Sequence, residues 1–109
     1  MKNLLLKTIP LFLLSTHLHA GFLIQGATVT LVANTSQNSN NFAIHTAGGT
    51  GPCASATQII FPLSAAPSEA VHTKAYSTAL TALTAGLKVS IYNYSSDLCD
   101  GAVNISISK

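Results

Sequence analysis

Apolar and polar positions alternate in several separate stretches of this chain, and each of them predicts a strand. In GATVTLVAN (26–34), Ala27, Val29, Leu31 and Ala33 fall on one face and Thr28, Thr30 and Val32 on the other. TSQNSNN (35–41) is polar and turn-rich, so it predicts a loop. NFAIHTA (41–47) alternates again, with Phe42 and Ile44 inward and His45 outward, as a hairpin partner of the first strand. GGTGP (48–52) breaks the pattern, and ATQIIFP (56–62) predicts a short strand that stops at Pro62, at an edge or a strand end.

The period then changes. LSAAPSEAV (63–71) predicts an irregular stretch or a loose helical turn. Beyond it, Tyr76, Leu80, Leu83 and Leu87 recur at helical spacing, with Ala79 on the same stripe. Thr73 is the expected N-cap and Gly86 the expected stop, which places the helix at about 74–85. KVSIYNY (88–94) returns to alternation, with Val89 and Ile91 inward and Ser90, Tyr92 and Tyr94 outward. SSDLCDG (95–101) is a turn. AVNISIS (102–108) closes the chain with Val103, Ile105 and Ile107 on one face.

The expected order is β-β-β-α-β-β, mainly β with one helix. That is the chain order of an OB-fold, a small, partly closed Greek-key barrel. A sheet with one helix packed on a face is the alternative.

The start of the chain, MKNLLLKTIPLFLLSTHLHA, stands apart from this pattern. Lys2 and Lys7 form a positive head, Ile9–Leu14 an apolar centre interrupted by Pro10, and Ala20 a small residue at the cut. Residues 1–20 therefore read as a secretory signal peptide and 21–109 as a single domain, periplasmic or extracellular. The apolar run is too short for a membrane span, which takes about 20 residues.

Past the leader, Lys74, Lys88 and Lys109 balance Glu69, Asp97 and Asp100, with His45 and His72 besides. A neutral domain with so few charges lacks the electrostatic footprint that nucleic acid or an anionic membrane surface requires. Two cysteines, Cys53 and Cys99, in a small exported domain predict one disulfide, and only one pairing exists. Closing that loop is worth about 4 kcal/mol by the chain-entropy estimate, so the fold is expected to be disulfide-stapled.

GGTGPC (48–53) invites a phosphate-loop reading, but it has no lysine, Pro52 removes an amide, and a strand follows. It reads better as a turn whose glycines supply positive φ and which delivers Cys53 to Cys99. A cysteine nucleophile would have only His45 and His72 as bases. The His and Cys positions match no zinc spacing, and Asp97 and Asp100 sit in a turn where aspartate bonds nearby amides. No catalytic residue, metal or cofactor is expected.

The outward face Ser90–Tyr92–Tyr94, flanked by Asn93 and Asp97, is the leading candidate for binding. Tyrosine joins apolar area to a polar tip, as carbohydrate and partner surfaces require. The polar loop 34–41, ending at Asn41, is the second candidate surface. Sequons at Asn34, Asn93 and Asn104 would matter only in a eukaryotic host, and the leader is of bacterial type.

Together GGTGPC, FP (61–62), AYSTALTALTAG (75–86) and KVSIYNYSSDLC (88–99) resemble a family of small secreted bacterial proteins of unknown function. More distantly, the pattern is similar to the OB-fold B subunits of subtilase-type AB5 toxins. There a hairpin, a cysteine, a helix and a strand of V-x-IY type follow in the same order. Those subunits form pentameric rings and bind sialylated glycans. The resemblance implies an OB-fold, a homo-oligomer and a glycan or protein partner. It carries over no binding residue, because this chain is shorter and ends soon after its last strand. The expectation is a secreted, non-enzymatic binding module, with a monomeric structural protein of the envelope as the alternative.

Overall fold

The computed structural model describes residues 20–34 and 40–109. Residues 1–19, where a leader is expected, and 35–39, where a loop is expected, lie outside the described residues. The strands are β1 (Gly21–Asn34), β2 (Asn41–Ala47), β3 (Ile59–Pro62), β4 (Lys88–Asn93) and β5 (Asn104–Ser108). A short 3-10 turn at Leu63–Ala65 leads to the helix α1 (Glu69–Ala85), which stands between β3 and β4. All pairings are antiparallel, in the order β3-β2-β1-β4-β5. The expected mainly-β order with one helix is the one observed.

The central strand β1 begins earlier than the alternation suggests, at Gly21 rather than Gly26. Its register shifts between Phe22 and Ile24 and again between Gln25 and Ala27, where Gly26 takes φ +72°. Such bulges break a period-2 pattern without ending the strand. Leu23 and Ile24 are consecutive yet both fully buried, which one regular half-solvated pleat would not allow. A further shift against β2, between Val29 and Leu31, reverses the expected facing. Leu31 is exposed, and Val32 packs on the core instead.

The helix also differs from expectation, in its start and in its facing. Ser68, not Thr73, is the N-cap, and its hydroxyl accepts from the Val71 N–H at 3.2 Å. Gly86 ends the helix in the left-handed conformation as expected, its N–H donating to the Ala82 carbonyl. The buried stripe is Ala75, Ala79 and Ala82, while Leu80 and Leu83 are exposed. Alanine has no bulk beyond Cβ, so an alanine face lets the helix lie close on the sheet. Thr78, Thr81 and Thr84 each donate a hydroxyl to the carbonyl four residues back, which satisfies them without a tertiary partner.

Between sheet and helix, Phe42 is the hub. It stacks on Phe61 at 4.5 Å and meets His72 and Tyr76 edge-on, each at 5.1 Å. His72 Nε2 lies 2.8 Å from the Phe61 carbonyl. A carbonyl only accepts, so this contact puts the proton on Nε2.

GGTGPC folds back along β1. Gln25 and Thr50 exchange two backbone hydrogen bonds, and the Cys53 N–H donates to the Leu23 carbonyl at 2.8 Å. A Cβ on Gly51, at φ +128°, would stand 2.6 Å from the Leu23 oxygen, so this approach admits only glycine. The segment delivers a fully buried Cys53 to Cys99, and the two form the disulfide with Cα atoms 5.8 Å apart. Beside it β3 meets the segment that leads into β5. The Ile60 N–H donates to the Cys99 carbonyl, and the Ala102 N–H donates to the Ile60 carbonyl.

Candidate functional site

Strand pairing sets residues of three strands side by side on the outer face of the sheet. Phe22 of β1 is the register partner of Tyr92 of β4, which is the partner of Asn104 of β5. One step along, Gln25, Ser90 and Ser106 form the next row. The Phe22 and Tyr92 rings meet edge-on at 5.0 Å, and Tyr92 and Tyr94 lie 4.9 Å apart. Edge-on and offset rings are the favoured aromatic arrangements, so the three form one continuous ladder.

The ladder is open to solvent. Phe22 is 47% and Tyr94 57% exposed, and Tyr92 is half-buried between them. Phe22, Tyr92, Tyr94, Asn104 and Ser106 line a shallow hollow of about 330 Å³. Asn104 Nδ2 donates to the Tyr94 hydroxyl at 3.3 Å, and Ser106 Oγ reaches the Ser90 carbonyl at 3.5 Å. Among the described residues, no charged side chain lines the hollow. Rings beside an amide and hydroxyls can stack on an apolar face and satisfy polar edges.

Of the residues anticipated here, Ser90, Tyr92 and Tyr94 come together on this face, and Asn41 does not join them. Asn41 lines a different hollow of about 170 Å³, with Asn34, Asn40, Phe42, His72, Thr73 and Tyr76. Residues 35–39 of that expected polar loop lie outside the described residues. Asn93 also departs from its expected place as a flank of the tyrosines, since it is buried at 2% exposure. Its Oδ1 accepts from the Ser95 and Ser96 N–H groups, and its Nδ2 donates to Ser96 Oγ and the Leu98 carbonyl. Parity along β4 carries that signal, because Val89, Ile91 and Asn93 share the inward face. Phe22, Asn104 and Ser106 were not anticipated, since only strand register places them beside the tyrosines.

The remaining chemical candidates have structural places. Both sulfurs are held in the disulfide, so neither is available as a nucleophile or a zinc ligand. His72 is engaged with the Phe61 carbonyl, and His45 lies in β2 opposite Leu31. Among the described residues, no helix is long and apolar enough to cross a membrane.

No curated protein and no solved structure matches the chain. Its overall pattern does have relatives: residues 3–109 match the model of a family of unknown function, DUF5992, and the chain belongs to that family.

Proposed function

We propose that this chain is an exported, non-catalytic binding module that holds a carbohydrate against the Phe22–Tyr92–Tyr94 face. The observation that carries the reading is the exposed ladder of three rings with Asn104, Ser90 and Ser106 beside it. A pyranose presents apolar C–H faces and polar edges. The rings offer area for the first, and the amide and hydroxyls offer partners for the second. The neutrality of the hollow favours a ligand recognised by shape and hydrogen bonding over one recognised by charge.

The resemblance to OB-fold toxin B subunits supports the same reading. So does the arrangement of β1 between β2 and β4, the helix between β3 and β4, and the tie at Ile60 between β3 and the segment before β5. Export to a periplasmic or extracellular compartment is supported by the leader pattern and by the disulfide. A ring of copies, pentameric as in those toxin subunits, is the assembly this reading expects. The exposed Leu80 and Leu83 are available to it.

A glycan array probed with the folded, oxidised protein, together with its mass in solution, tests the proposal. Reproducible hits and a homo-oligomer support it. A clean monomer without hits returns the chain to a monomeric structural role in the envelope.

A further inference from the structure

The two ends of the sheet are guarded differently. β3 is short, carries Pro62, and is tied through Ile60 to the segment 99–102. β5 ends the sheet in register with β4 from Asn104 to Ser108, with no proline, no charge and no bulge. Beyond its ladder with β4, it has no backbone hydrogen bond to another described segment. Open strand edges are ordinarily blocked by one of those devices, and this one is not.

Beside that open strand lies a groove. α1 leaves a hollow of about 350 Å³ against the start of β5, lined by Val71, Lys74, Ala75 and Thr78 from the helix and by Val103 and Ile105. Its walls are mainly apolar. Among the described residues, Lys74 is the only charged residue lining it, and no carboxylate faces that ammonium from the lining. Tyr94 and Asn104 stand on the border between this groove and the aromatic face.

We infer that the groove between α1 and the β5 edge is a second binding site, separate from the carbohydrate face, and that it takes an extended acidic peptide segment of a partner protein by strand addition. The unpaired edge supplies backbone donors and acceptors at strand spacing, which a peptide matches and a sugar does not. The apolar hollow takes one of its side chains. Lys74 pairs with an acidic side chain or a terminal carboxylate beside it. A second copy of this chain offering its own β5 would bring NISIS, which places no acid at Lys74.

A synthetic library of random linear peptides, with free and with amidated C-termini, is the probe. Selected peptides share an apolar residue next to an acidic group, and N-methylation of alternate amides abolishes their binding. Lys74→Met weakens them roughly tenfold, the size of a lost charge-assisted hydrogen bond. Lys74→Glu moves the selection toward basic peptides. Amides of β5 gain protection from exchange on binding, while Phe22→Ser leaves peptide affinity unchanged and so separates this site from the carbohydrate face. The inference is overturned if the folded protein selects no peptide. It is also overturned if binding ignores both Lys74 substitutions and N-methylation, or if β5 is occupied by self-association alone.

Discussion

The buried side chain of Asn93 donates to the carbonyl of Leu98 at 3.0 Å, and this bond holds the turn that carries Cys99 to Cys53. Its carbonyl oxygen caps two amides of the same turn. Asn93→Ala leaves those groups without their partner and should cost about 2 kcal/mol. In a domain of this size that lowers the thermal midpoint by roughly 10 °C. Gly101→Ala should act through the same network, because its Cβ would stand 2.8 Å from Asn93 Nδ2. Thermal unfolding of both variants checks this.

The disulfide joins residues 46 apart in sequence. Replacing both cysteines by alanine should cost about 4 kcal/mol on the chain-entropy estimate. Denaturant unfolding measures that cost. Mass spectrometry of the oxidised protein should find no free thiol.

Within GGTGPC the glycines are not equivalent. Gly48 has positive φ but open space around its Cβ position, whereas Gly51 combines φ +128° with backbone at 2.6 Å. Gly48→Ala should cost on the order of 1 kcal/mol for the left-handed backbone alone. Gly51→Ala should cost distinctly more, about 3 kcal/mol, because β1 itself must move. Comparing the two unfolding midpoints tests whether the segment is pinned to β1.

The helix facing makes a third comparison. Ala79→Leu forces bulk between helix and sheet and should cost about 1–3 kcal/mol. Leu80→Gln and Leu83→Gln, on the solvent side, should each change stability by less than ~1 kcal/mol. Ser68→Ala should cost about 1 kcal/mol, and Thr73→Ala little, if the cap is where the structure places it.

Strands β2, β4 and β5 were legible as elements, and β2 pairs with β3 and β4 with β5 without a register shift. Their facing was legible only in part: Ala43 is buried along with Phe42 and Ile44, and Ile107 is exposed where the expected face with Val103 and Ile105 would have turned it inward. β1 was legible only in its second half. Bulges at Phe22/Ile24 and Gln25/Ala27 hide the first half from any period-2 reading. The helix itself was legible and its facing was not. Hydrophobicity ranks leucine over alanine, while close packing on a sheet selects the smaller side chain. The tyrosines could be found because they are two residues apart in one alternating stretch, although β4 ends at Asn93 and Tyr94 lies just beyond it rather than in the strand expected over 88–94. Phe22 and Asn104 reach them through pairings between distant segments, which no local pattern encodes.

The most direct test of the carbohydrate reading is a side-by-side glycan array of the native protein and a Phe22→Ser/Tyr92→Ser variant whose fold and disulfide are verified. The ring ladder as the binding surface predicts hits for the native protein that vanish in the variant. An empty array from well-folded native protein, or the same hits from both, would contradict it.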